Sequence, residues 1–183
     1  TSFLRDLYIP IPGHGSNRIN AAYSFGGMKL LEETIEENFG ISISGSIEAD
    51  FQQFSGIIDL LGGVPIQLRQ DEADFINRET GSSLAEGTQT LTGQQALTYS
   101  RIRSLDPDGD FSRTNRQRKV MEAVLAICRS TGPTRMLPLF RQLLPMITTD
   151  LNSGQLVLLA LEIAPRLSDL TLTSQRIPAD GTF

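Results

Sequence analysis

Apolar residues along this chain switch repeatedly between two spacings, and that switching constrains the fold more than any other feature. Phe51, Phe54, Ile57, Ile58 and Leu61 recur at three- and four-residue steps, the period of one helix face. Val64, Ile66 and Leu68 then recur at every second residue, the period of a half-buried strand, with Gly62-Gly63 ending the helix between them. The same punctuation repeats elsewhere. Residues 1–12 read as a short strand and a loop broken by Pro10, Pro12 and Gly13. Ala22, Tyr23, Leu30, Leu31 and Ile35 predict a helix over 20–38, stopped by Gly40. Gly26 and Gly27 inside it cost about 1 kcal/mol each relative to Ala, which points to close approach by another backbone or a ligand. Ile41, Ile43 and Ile47 alternate with polar residues as a strand does. Asp50 is a candidate N-cap for the 51–61 helix. Thr92-Gly93-Gln94-Gln95 matches a capping box opening a helix through Ala96, Leu97 and Tyr99. Ser112 is a candidate cap for a long helix to about Ser130, with Val120, Val124, Ile127 and Cys128 as its apolar stripe. Helices near 134–147 and 153–166 and a last strand over 170–177 complete the pattern. Residues 69–90 are polar, with Phe75, Ile76 and Leu84 as anchors, and read as a surface excursion holding a short helix at most. Alternating helices and strands predict an α/β fold, a sheet with helices on its faces. The 183 residues suit one domain over 1–183, enough chain to bury about 70% of its unfolded surface.

Composition removes several kinds of chemistry. One cysteine, Cys128, allows neither an intrachain disulfide nor a cysteine metal site and reads as a small core residue. One histidine, His14, excludes histidine-cluster zinc sites, and no G-x-S-x-G elbow exists to partner it. Neither a Walker A sequence nor G-x-G-x-x-G is present. The longest apolar run, Leu156–Leu161, is far below the ~20 residues of a membrane span. A net charge of −5 argues against a nucleic-acid partner. Thr1-Ser2-Phe3-Leu4 enters a strand-like segment without initiator Met or signal peptide, the expectation for a piece of a longer protein whose leader or anchor lies upstream.

Charge is distributed unevenly. Residues 31–80 carry eleven acids against two bases, whereas 101–120 carry Arg101, Arg103, Arg113, Arg116, Arg118 and Lys119 against Asp106, Asp108 and Asp110. Such a basic cluster in an acidic chain is a local feature. Arg113 shares a helix face with Arg116 or Gln117, on a first turn whose free N–H groups favour an anion. Arginine forks suit phosphate oxygens, and several of them suit a pyrophosphate. The alternative is a solvated helix start whose arginines pair with the three aspartates. Those aspartates alternate as in a calcium loop, but the glycine stands fourth instead of sixth and the twelfth position is Gln117 instead of Glu. An EF-hand is excluded; a lone aspartate acting as a base or metal ligand is not.

Five segments, in order, resemble the LytR-CpsA-Psr family of cell-envelope phosphotransferases. They are Phe3-Leu4-Arg5-Asp6-Leu7-Tyr8-Ile9 with Ile11-Pro12; Asn17-Arg18-Ile19-Asn20-Ala21-Ala22 with Gly26-Gly27; Asp59-Leu60-Leu61-Gly62-Gly63-Val64; Gly87 to Leu91 with Gly93, Ala96-Leu97, Tyr99, Arg101 and Arg103; and Gly109-Asp110-Phe111-Ser112-Arg113 with Arg116-Gln117. The resemblance lies within 3–120; residues 131–183 carry little of it and read as closing helices and a last strand.

This resemblance implies a central mixed β-sheet in α-β-α layers, lacking its N-terminal part. It implies a membrane-anchored enzyme on the outer face of a bacterial cytoplasmic membrane. Such an enzyme moves a glycan phosphate from a polyprenyl-pyrophosphate carrier to peptidoglycan or another envelope acceptor. The lipid is expected in an apolar tunnel between sheet and helices. By match, Arg5, Arg18, Arg101, Arg103, Arg113 and Gln117 would bind the pyrophosphate, with Arg101, Arg113 and Asp110 catalytic and Asp110 the candidate base. Arg18 stands where many relatives have lysine. Mg²⁺ is implied as cofactor, but the family's metal aspartates precede the Arg-Asp strand, upstream of Thr1, so no metal ligand is assigned. Phosphoryl transfer depends on positioning and charge neutralisation, which arginines supply without Cys or His. The alternatives are a polyprenyl-phosphate-binding module, a lipid pyrophosphatase without transfer, and a transcriptional attenuator, the last opposed by the acidic composition and the lack of a helix-turn-helix signal.

Overall fold

The computed structural model describes residues 1–107, 109–131, 133–163 and 176–177. These residues fall into two compact units, one of 1–46 with Arg176–Ile177 and one of 47–163.

The first unit begins with β1 (Ser2–Phe3), then an antiparallel hairpin of β2 (Tyr8–Ile11) and β3 (Gly15–Arg18) in the register Tyr8 to Arg18 and Ile11 to Gly15. The expected proline-broken loop is therefore half hairpin. Pro10 is accommodated in a two-stranded ribbon because a missing N–H costs little at an edge. Arg176–Ile177 pairs parallel to β1; the rest of the last strand expected over 170–177 lies outside the described residues. Helix α1 (Ile19–Phe39) buries Ile19, Ala22 and Thr34 and ends at Gly40, whose left-handed backbone returns an N–H to Glu36 O. At Gly26 and Gly27 the helix breaks, with φ of −144° and 66°. A Cβ on Gly26 would lie 2.6 Å from Leu30 Cβ in the same helix, and Gly27 has a backbone that only glycine adopts readily.

The second unit carries the main core. It runs β4 (Ile47–Glu48), α2 (Phe51–Leu60), β5 (Val64–Leu68), α3 (Gln70–Thr80), β6 (Gly87–Leu91), α4 (Gly93–Arg101), α5 (Gly109–Ser130), α6 (Pro133–Leu143), β7 (Thr148–Thr149) and α7 (Ser153–Ile163). Helices and strands alternate as the sequence predicts, and the class is α/β. The described strands pair as four two-stranded ladders, one parallel and three antiparallel. β5 follows its period, with Val64, Ile66 and Leu68 buried and Pro65 and Gln67 outward. They meet Ile58, Ala73, Ile76, Leu91, Ala96, Tyr99, Ile102 and Val120 in one cluster.

Four expectations need correction. Residues 69–90 hold an eleven-residue helix and a core strand, because Glu72, Ala73 and Ile76 turn inward and β5 supplies β6 with its hydrogen bonds. Strand structure over 41–47 is confined to Ile47–Glu48, the residues that find a partner in β7. The long helix begins at Gly109, so Ser112 lies inside its first turn instead of capping it. Pro145, which has no N–H to donate, leaves the end of the expected 134–147 helix as a 3-10 turn over Leu144–Met146.

Candidate functional site

The basic cluster is built on the connection between α4 and α5. Thr92 caps α4 with its side chain on Gln95 N, and Asp59 Oδ1 on α2 accepts Gly93 N at 2.7 Å. The capped helix delivers Arg101 at its last residue. Its exposed guanidinium lies over the Phe51 ring, 4.7 Å from the centroid. Buried Ile102 then anchors the chain, exposed Arg103 follows, and Gly109 N returns to Asp106 O at 3.2 Å as α5 begins. A Cβ on Gly109 would lie 3.7 Å from Arg103 O, so the end of one segment and the start of the next are in van der Waals contact. Asp110 lies in the first turn of α5, half-buried Arg113 follows one turn later, and Gln117 is exposed one turn beyond that.

Arg116 does not share the role of Arg113. It is 3% exposed and spends its guanidinium inward: Nε donates to Glu72 Oε1 at 2.8 Å, Nη1 to Ile102 O at 3.3 Å, and Nη2 to Asp106 Oδ2. Glu72, also 3% exposed, accepts Arg69 N on its other oxygen, and Arg69 Nη1 reaches Asp106 at 3.0 Å. The charge-assisted hydrogen bond from Arg116, and then that from Arg69, hold the Asp106 carboxyl below the usual carboxylate range. Tyr99 lies under this group, its ring centroid 6.0 Å from Arg116 Cζ. Its buried hydroxyl has no hydrogen-bond partner among the described residues, and burial, then the Glu72 charge, push it up to about 12. The pair of Arg116 with Asp106 is of the kind the alternative sequence reading offered; the part played by Glu72 and Arg69 was missed. Its one local signal is Glu72 three residues after Arg69, the spacing of a capping box.

A cavity of about 330 Å³ opens beside the network, lined among others by Arg69, Glu72, Asp106, Ser112, Arg116 and Lys119. Ser112, Asn115, Lys119 and Glu122 line it at three- and four-residue steps, one face of α5; Arg113 and Gln117 lie about 140° and 180° from the middle of that face, on the far side of the helix. The cavity is charged and ion-paired, and is not the apolar lipid tunnel that the resemblance implies.

In the first unit the structure does bring two predicted residues together. Arg5 Nε and Arg18 Nη1 each reach Asp6 at 3.3 Å, all three exposed. Among the described residues no group of three acidic, His or Cys side chains could hold a metal. Asp6 and Asp106 are both committed to guanidinium groups, so these residues do not fit Mg²⁺. Burial raises the Cys128 thiol, which suits a packing role.

A model of the LytR_cpsA_psr family matches residues 1–182. The regulatory protein MsrR of Staphylococcus aureus strain Mu50 is 42% identical over 125 residues, covering 67% of this chain and 37% of that protein. The polyisoprenyl-teichoic acid–peptidoglycan teichoic acid transferase TagU of Bacillus mycoides strain KBAB4 is 41% identical over 125 residues, covering 68% of this chain and 40% of its own. The chain thus spans about two-fifths of the length of the curated relatives it matches. Among solved structures, the LytR-CPS2A-psr family protein YwtF (TagT) with bound octaprenyl pyrophosphate lipid superposes with a TM-score of 0.68 at 26% identity, over 94% of this chain and 61% of that one.

Proposed function

The chain belongs to the LytR-CpsA-Psr family, and from that premise we propose that it moves a glycan phosphate from a polyprenyl-pyrophosphate carrier to peptidoglycan or another acceptor of the bacterial envelope. The carrying observation is the likeness, over 94% of the chain, to a structure that holds octaprenyl pyrophosphate. The teichoic acid transferase relative supports the same reaction class.

Arg101, Arg103 and Arg113 lie on one helix–loop–helix segment, and their guanidinium forks are suited to diphosphate oxygens. In the proposed step an acceptor hydroxyl attacks the glycan-linked phosphorus. A new P–O bond forms, the bridging P–O bond breaks, and polyprenyl phosphate leaves. The hydroxyl proton passes to Asp110, the candidate base, and the arginines neutralise charge on the transferring group. Gln117 adds an amide donor one turn from Arg113. Arg5 and Arg18, on the first unit, are assigned to substrate binding by the resemblance, and alanine at each tests that assignment separately. The exposed apolar run of Val157, Leu158 and Leu159 on α7 is a surface suited to an isoprenoid chain.

Transfer from a lipid-linked glycan phosphate, followed by product analysis, is the test. Arg101→Ala and Arg113→Ala should abolish transfer with the fold intact. The exposed Arg101–Phe51 contact is worth only about 0.5–1 kcal/mol, so its loss does not unfold the unit. Transfer at the original rate rejects the assignment, and release of free glycan phosphate identifies hydrolysis instead. The same assay with and without added Mg²⁺ decides the implied metal dependence.

A further inference from the structure

We infer that Arg116, Asp106 and Glu72 are positioning residues: a buried clasp that fixes the chain over 102–107 and the start of α5, and so sets Arg101 and Arg103 against Arg113. The inference rests on the proposed headgroup role of those three arginines. Its geometry lies entirely within one unit.

One guanidinium reaches three acceptors at chosen points. Arg116 Nη1 binds the carbonyl of Ile102, the residue between Arg101 and Arg103. Its Nη2 binds Asp106, whose own carbonyl accepts the N–H of Gly109 at the start of α5. Its Nε binds Glu72 on α3, which stands outside the loop and ties it to the core. Arg69 closes the outer side through Asp106 at 3.0 Å and through its own N–H to Glu72. The peptide carrying Arg101 and Arg103, and the turn that launches Arg113, are thus fixed by the same planar group. A lysine, with one point charge, cannot make three divergent in-plane bonds. Buried ion pairs add little stability over apolar groups of equal volume; what this one adds is direction.

Arg116→Ala would take from the buried Glu72 carboxylate its one buried cationic partner and risks the fold, so Asp106→Asn carries the test. At 19% exposed, Asp106 can become an amide without burying a charge alone. Geranylgeranyl pyrophosphate is titrated calorimetrically into the full 183-residue chain, at a temperature where circular dichroism shows every variant folded. Asp106→Asn should weaken binding about tenfold, with the unfolding midpoint lowered by no more than about 4 °C. Asp71→Asn, at a side chain that holds Arg69 and the Glu72 N–H but makes no hydrogen bond to Asp106 or Arg116, should bind as the parent does. Parent-like affinity in Asp106→Asn, with or without a lowered midpoint, would overturn the clasp alone. Absence of binding by the parent chain would overturn the proposed function and this inference with it.

Discussion

Gly93 shows how little room the α2–α4 contact leaves. A Cβ there would stand 2.0 Å from Ser55 O, a backbone atom that no rotamer change can move. Gly93→Ala should therefore destabilise the chain by about 3 kcal/mol, the upper end for overpacking, read as a lowered urea midpoint. Asp106 makes a different prediction. Its carboxyl is held below the usual range in the folded chain, so its contribution is complete above the unfolded value of about 3.9 and is lost as pH falls through the folded one. Stability should drop on acidification below about pH 4, and Asp106→Asn should flatten that limb in urea titrations at stepped pH. Local chemistry was legible at this scale: the Asp50 and Thr92 caps bond residues three positions away, as their spacing predicts. The burial of Glu72 was not legible, because its partner Arg116 is 44 positions downstream. The same distance hid the separate roles of Arg113 and Arg116.

Elements were legible wherever the chain sets its own period. β5, α2 and α4 follow the spacing of their apolar residues because each has one wet face. β6 was missed because Thr88, Gln89 and Thr90 carry no apolar alternation; its ladder partner β5 makes it a strand. α3 was reduced to a short helix at most because only Ala73, Ile76 and the ion-paired Glu72 are fully buried, while Phe75 packs on the core from a partly exposed position. In α1 the glycine pair was noticed, but not the break in the helix that it makes. Gly27→Ala tests the backbone's share: no protein atom would meet the added Cβ, so the cost is the φ of 66°. A loss of about 1–3 kcal/mol should appear as a lower thermal midpoint. A neutral Gly27→Ala would mean that the break can be accommodated without glycine.

For the molecule as a whole, an acidic chain carries its positive charge in confined places, which the sequence displayed without any coordinates. The segment from Arg101 to Gln117 was legible as a basic cluster because it is continuous; the pairing of Arg5 and Arg18 through Asp6 needed the β2–β3 hairpin. If the proposed ligand is right, organic extraction of protein purified from a bacterial host should release a polyprenyl phosphate or pyrophosphate detectable by mass spectrometry. An extract free of isoprenoid, from protein that also fails to take up added lipid, would count against it. Glu72 and Arg116 also bear on the order of folding. Joining residues 44 apart requires closing a long loop, so the arginine end is assembled only after α3 and α5 have met. Under the proposed function, a partly folded chain would carry all its guanidinium groups yet have no competent grip on a diphosphate, and lipid capture would wait for a finished domain.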